Sequence, residues 1–153
     1  ELTNTISLED FCSNWKTKKP HFTLKRKLIE KIATISRTMH GRGMCHRDYY
    51  ICHFLLHEHS TAAGVLEGEP QLYLIDLHRS LIKNKLSKRW VLKDIAGLYF
   101  SALNIGLSRN DLLRFVKIYS GTPLREALST RNDFWSAVEK KAHQLDRRLN
   151  QSR

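Results

Sequence analysis

Several things are missing from this sequence, and each absence narrows what the chain is. No run of about 18 apolar residues is present, which excludes a membrane-spanning helix. No basic-then-apolar leader opens it. It starts at Glu1 rather than Met, so the expectation is a processed chain or, preferably, a fragment of something longer. Internal repeats and low-complexity tracts are absent as well. The three cysteines, Cys12, Cys45 and Cys52, are an odd number that cannot all pair, and without a leader they read as free thiols of a reduced, cytosolic protein. Acidic residues are scarce: 15 against 26 Lys and Arg, for a net charge of +11. Anionic partners are therefore attracted over long range at low salt, whether nucleic acid, anionic lipid or an acidic carrier protein.

What remains is enough for one domain over residues 1–153, since 41% of the chain is hydrophobic and a chain of this size typically buries about 70% of its unfolded surface. Ser7 with Glu9 and Asp10 caps a short helix to about Asn14, and residues 16–20 break it. From Thr23, the residues Leu24, Leu28, Ile29, Ile32, Ile35 and Met39 recur at three and four and predict an amphipathic helix. Gly41 and Gly43 then permit a tight reversal. Apolar runs at 51–56 and 71–75 read as an antiparallel strand pair joined by the polar, turn-rich stretch 57–70. A central helix is expected from about Lys88 to Ile105, too apolar for a surface stripe. Ser108 and Asp111 cap the next helix, Gly121 ends it, and Pro123 suits a first helical position. The last helix carries Phe134, Trp135, Val138, Ala142, Leu145 and Leu149 on one face.

Each of the two strand-like runs holds out one carboxylate. Asp48 stands just ahead of the first in His46-Arg47-Asp48-Tyr49-Tyr50-Ile51-Cys52-His53-Phe54-Leu55, and Asp76 ends the second in Ile75-Asp76-Leu77-His78-Arg79. A carboxylate beside buried strands costs free energy unless a cation, a donor or a metal compensates it. Two of them point to a site that holds metal and moves a proton. The His-Arg-Asp string resembles the catalytic loop of the protein-kinase-like fold. Together, the two strings resemble the bacterial lipopolysaccharide core heptose(I) kinases.

The resemblance implies an α+β, mostly helical fold, the C-terminal lobe of a protein-kinase-like architecture with a small antiparallel hairpin carrying the catalytic loop. It further implies ATP-dependent phosphorylation of the first heptose of the lipopolysaccharide inner core, with ATP and Mg²⁺, at the cytosolic face of a Gram-negative inner membrane. Asp48 would be the base for the sugar hydroxyl, Asp76 the Mg²⁺ ligand, and His46 and Arg47 supports of the loop, with Arg47 near Asp48. His53 stands where protein kinases carry an Asn for a second metal; it would bind metal or nucleotide, although imidazole is a poor ligand for Mg²⁺. Asp94 resembles the buried Asp that accepts backbone N–H groups of the catalytic loop in kinase lobes. Arg79 and Lys83, in a basic linker, would grip anionic groups of a glycolipid acceptor near the membrane.

Only 45 residues precede His46, and no Gly-rich loop or strand Lys stands among them. The N-terminal lobe of the fold is therefore expected elsewhere, and the isolated chain is expected to be inactive. Asp76 and Asp94 are too close in sequence for a long activation loop, so constitutive competence is expected. Competing readings are a kinase of another sugar or small-molecule acceptor, a non-catalytic scaffold, and a basic helical nucleic-acid-binding module. Against the last, the basic residues are scattered over several helices and the aromatics sit at core spacing. A zinc knuckle is disfavoured by the wide spacing of Cys45 and Cys52.

Overall fold

The computed structural model describes residues 2–59 and 68–152. Strand β1 (Thr5–Ser7) leads straight into helix α1 (Leu8–Cys12), where the Ser7 hydroxyl accepts the Asp10 N–H and caps the helix. Helix α2 (Phe22–Gly41) follows, its first turn capped by the His21 ring, and it buries Leu24, Leu28, Ile29, Ala33, Ser36 and Met39 along one face. The reversal after α2 is carried by Gly43 alone, because Gly41 stays inside the helix. Gly43 has φ +80, and a Cβ there would stand 2.0 Å from the Lys83 carbonyl oxygen. That close approach belongs to a ladder the sequence did not announce: β2 (Met44–Cys45) pairs antiparallel with β5 (Leu81–Ile82), and Lys83 N–H donates to Gly43 O at 2.9 Å.

The strand pair read from the apolar runs is present as β3 (Phe54–His57) and β4 (Leu72–Leu74), antiparallel with Phe54 opposite Leu74. β1 adds to the other edge of β3, giving the order β1-β3-β4. The connection between β3 and β4 falls, at 60–67, outside the described residues. Residues 51–53 and 77–79 form single 3₁₀ turns that lead into β3 and away from β4.

Four helices complete the fold: α3 (Lys88–Ala102), α4 (Arg109–Ser120), α5 (Leu124–Thr130) and α6 (Asn132–Gln151). The capping box of Ser108 and Asp111 opens α4, and Gly121 in the left-handed region closes it. Pro123 stands one residue before α5, at its cap. α3 packs most extensively on α6, and α2 on α4. Leu149, expected on the apolar face of α6, is instead 43% exposed, because the helix has run past the end of α3 by then. An apolar cavity of about 280 Å³ lies between α1, α2, α3 and α4, lined by side chains such as Leu28, Ile32, Leu98, Ala102 and Phe115.

Candidate active site

The loop between β2 and β3 is held from below. Asp94, on α3 and 1% exposed, accepts the His46 N–H on Oδ2 at 2.7 Å and the Arg47 N–H on Oδ1 at 2.8 Å. Its Oδ2 also accepts from His40 Nε2 at 3.1 Å, and His40 Nδ1 meets the Tyr119 hydroxyl at 2.8 Å. A carboxylate only accepts, so the His40 proton sits on Nε2, and in the neutral ring Nδ1 accepts from Tyr119. Burial pushes the Tyr119 phenol well above its usual range, so it remains a donor. Sequence reading missed His40 and Tyr119. The one hint was a histidine on the buried face of an amphipathic helix, which by itself names no partner.

His46 is wholly buried, and its Nε2 donates to the Ile75 carbonyl at 2.9 Å. That bond ties the Asp48 loop to the residue immediately before Asp76. His53 makes the second tie. Its Nδ1 donates to the Asp48 carbonyl at 2.7 Å, its ring stacks on His46 with centroids 5.6 Å apart, and its Nε2 faces Asp76 Oδ2 at 3.4 Å. With the proton committed to Nδ1, Nε2 of the neutral ring presents a lone pair to a carboxylate. Two lone-pair donors facing each other call for a cation or a proton between them. The other Asp76 oxygen is taken by His78 Nδ1.

Asp48 is 19% exposed at its side chain, and Arg79 Nη1 donates to both its oxygens at 2.9 Å. Here the structure corrects the sequence reading. The cation on Asp48 is Arg79, from the neighbouring loop, whereas Arg47 turns away and lays its guanidinium 5.2 Å over the Trp90 ring. Arg47 points away because its backbone is left-handed, at φ +76. Asp76 is left-handed too, at φ +62 and ψ +49. Such conformations cost of order 1–3 kcal/mol each and persist where the surroundings impose them, often at functional sites. Lys83 sits on the exposed β5 side, with its backbone in the β2 ladder.

The nearby thiols and phenols do not compete for the chemistry. Burial pushes Cys45 and Cys52 above the usual thiol range, and burial with the Asp48 charge raises Tyr50, so these groups stay protonated at neutral pH. Among the described residues, no three His, Cys, Asp or Glu side chains gather into a metal-like group. The site thus consists of one carboxylate beside an arginine, and a second carboxylate opposed to an imidazole. Both are hung on a loop that α3 anchors.

Known proteins match the chain over nearly its whole length. The chain is 47% identical over 148 residues to the lipopolysaccharide core heptose(I) kinase WaaP of Escherichia coli K12, covering 97% of the chain and 55% of that protein. It is 46% identical over 145 residues to the enzyme of the same name from Pseudomonas aeruginosa, covering 95% and 53%. The chain therefore spans about half the length of the curated relatives it matches. A solved structure described as WaaP in complex with acyl carrier protein superposes with a TM-score of 0.86 at 44% identity, over 95% of this chain and 59% of that one. The fold is accordingly that of a kinase-like lobe, mostly helical with small antiparallel sheets. The family model for lipopolysaccharide kinases matches residues 1–119, which include Asp48, Asp76 and Asp94, and the chain belongs to the lipopolysaccharide kinase (Kdo/WaaP) family.

Proposed function

We propose that the full-length protein phosphorylates the first heptose of the lipopolysaccharide inner core, and that this chain is the lobe carrying its catalytic loop. The observation that carries the reading is the doubly tied pair of loops. His46 and His53 link Asp48 to the strand end at Asp76, while Asp94 holds the loop amides. Asp48 then orients the heptose hydroxyl and accepts its proton as the new O–P bond forms and ADP departs. Phosphoryl transfer asks a protein mainly for positioning and charge stabilisation, which a rigid pair of loops supplies.

The residues present fit a divalent cation. Asp76 Oδ2 and the His53 Nε2 lone pair converge at 3.4 Å, and Mg²⁺ commonly takes one or two carboxylates from protein and fills its remaining positions with water and phosphate oxygens. Asp76 is the stronger ligand of the two for so hard an ion. When bound with ATP, the ion neutralises charge on the phosphates. The cover for those phosphates is assigned to an N-terminal lobe outside the chain.

Replacing Asp48 by Asn in the full-length enzyme keeps the shape and removes the base, with an expected loss of about 10²–10⁴-fold in kcat. Heptose phosphorylation at the wild-type rate would discard the assignment.

Two partners complete the reading. The basic residues Lys83, Lys85 and Arg89 favour peripheral contact with an anionic bilayer, at about 1 kcal/mol per residue near the surface. No helix of the described residues is long and apolar enough to cross one. An acidic carrier protein suits the +11 charge, and the apolar cavity of about 280 Å³ offers an alkyl chain a dry receptacle. If so, an acyl-loaded carrier raises the Tm of the full-length protein more than the same carrier without its acyl group. Equal shifts would remove the cavity from the proposal.

A further inference from the structure

Behind the catalytic loop, the last turn of α2, the start of α3, the end of α4 and the junction of α5 with α6 enclose a second hollow, of about 630 Å³. It differs in kind from the apolar cavity. Arg37, Lys88 and Arg131 line it, and Asp133 is the one carboxylate among its lining residues. Among the described residues, none of the three cations lies within ion-pair distance of a carboxylate. Unpaired cations around a concavity focus positive potential into it.

The placement of these groups is specific. The Arg37 guanidinium carbon lies 2.1 Å from where a Cβ on Gly121 would stand, so the guanidinium occupies the space that a side chain at 121 would take. Arg131 is near enough to the Tyr119 hydroxyl for its charge to oppose the rise that burial imposes on the phenol. Ser120 is also in the lining, with its hydroxyl oxygen buried beneath that surface and without a hydrogen-bond partner.

One wall of the hollow is also the underside of the site. His40 and Tyr119 line it, and from them the hydrogen bonds run through Asp94 to the amides of His46 and Arg47. An anion held here sits one polar chain away from Asp48.

We propose that this hollow is an anion subsite that binds a carboxylate or phosphate group of the acceptor saccharide, apart from the hydroxyl that is phosphorylated. The inference rests on the kinase reading above and names what that reading leaves open, the part of the acceptor recognised away from the reacting hydroxyl. The size favours a sugar-scale group over a protein. Small-molecule pockets run from about 300 to 1,000 Å³, whereas a carrier protein would need a broad, open face. Arginine is suited to carboxylate and phosphate because its planar fork matches both.

The experiment uses the full-length kinase with Arg37→Gln, Arg131→Gln and the double variant. Steady-state kinetics are run on native acceptor and on acceptor whose phosphates have been removed and carboxyls reduced. The double variant is expected to raise the acceptor KM about tenfold or more on native acceptor, the scale of one lost charge-assisted contact. On neutralised acceptor the gap between wild type and variant is expected to close. A gap of equal size on both acceptors would mean that the arginines only support the fold, and the subsite is overturned. An unchanged acceptor KM with lost carrier-protein binding would overturn it in favour of a protein interface. Should the double variant misfold, Lys88→Gln, at an exposed first turn, carries the same comparison. Calorimetric titration of inorganic pyrophosphate into wild type and variant tests the subsite without catalysis. Wild-type binding that the variant loses supports it even if heptose proves to be the wrong acceptor, and equal or absent binding in both overturns it.

Discussion

Removing the Asp94 carboxylate would strand three donors in the protein interior: the amides of His46 and Arg47 and the ring N–H of His40. Each buried unsatisfied donor costs about 1–3 kcal/mol. Asp94→Ala is therefore expected to lower unfolding free energy by ~3–5 kcal/mol in urea titrations, on the scale of breaking a buried charge from its partners. A loss below about 1 kcal/mol would show that the amides find other acceptors. Asp94 was readable in the sequence only through the motif it resembles, since an acid in the second turn of a helix is ordinarily exposed. The pairing of Asp48 was misread for a related reason. Arg47 is adjacent in sequence, but its left-handed backbone turns the side chain to Trp90, and the nearer cation comes from a loop 31 positions on. Adjacency along the chain says little about adjacency across two loops.

At the scale of elements, the helices were legible because their information is local. Ser7 and Ser108 stand at their caps, Gly121 at its stop, and the apolar residues of α2 repeat at three and four over 20 residues. β1 and the β2–β5 ladder were not, because strands of two or three residues contain no period to detect. The partner of β2 is set by the close approach at Gly43, which is a tertiary fact. Between helices, Lys25 of α2 reaches Asp111 of α4 at 2.6 Å, with both side chains largely buried. Burial alone would raise the Asp111 carboxyl. The Lys25 ammonium and the Ser108 N–H and hydroxyl outweigh it and hold the carboxyl below its usual value. The folded state thus binds fewer protons than the unfolded one, whose Asp titrates near about 3.9. The stabilisation is present above about pH 4 and is lost as pH falls through the lower folded value. Asp111→Asn is expected to flatten the acid limb of a Tm-against-pH curve. An unaltered limb would place the acid sensitivity elsewhere.

For the molecule as a whole, the +11 charge is spread over several helices, and two of the carboxylates, Asp94 and Asp111, are buried. The match to the family model ends at residue 119, yet the largest partner of α3 is α6, which begins at Asn132. Ile95 and Ala96, directly after Asp94, pack in one cluster with Tyr119 and Val138, and the Tyr99 ring meets His143 edge-on. A protein cut after Gly121 would keep every residue of the two loops and lose the buttress that stops their foundation from swinging. Amide exchange at His46 and Arg47 is expected to quicken by at least about tenfold in such a truncation, with Asp48 and Asp76 untouched in sequence. Exchange as slow as in the intact protein would mean the first 121 residues stand without the buttress. The active loop, in this view, is moored at its distant stern: a helix that contributes nothing to the chemistry decides whether the chemistry has a fixed address.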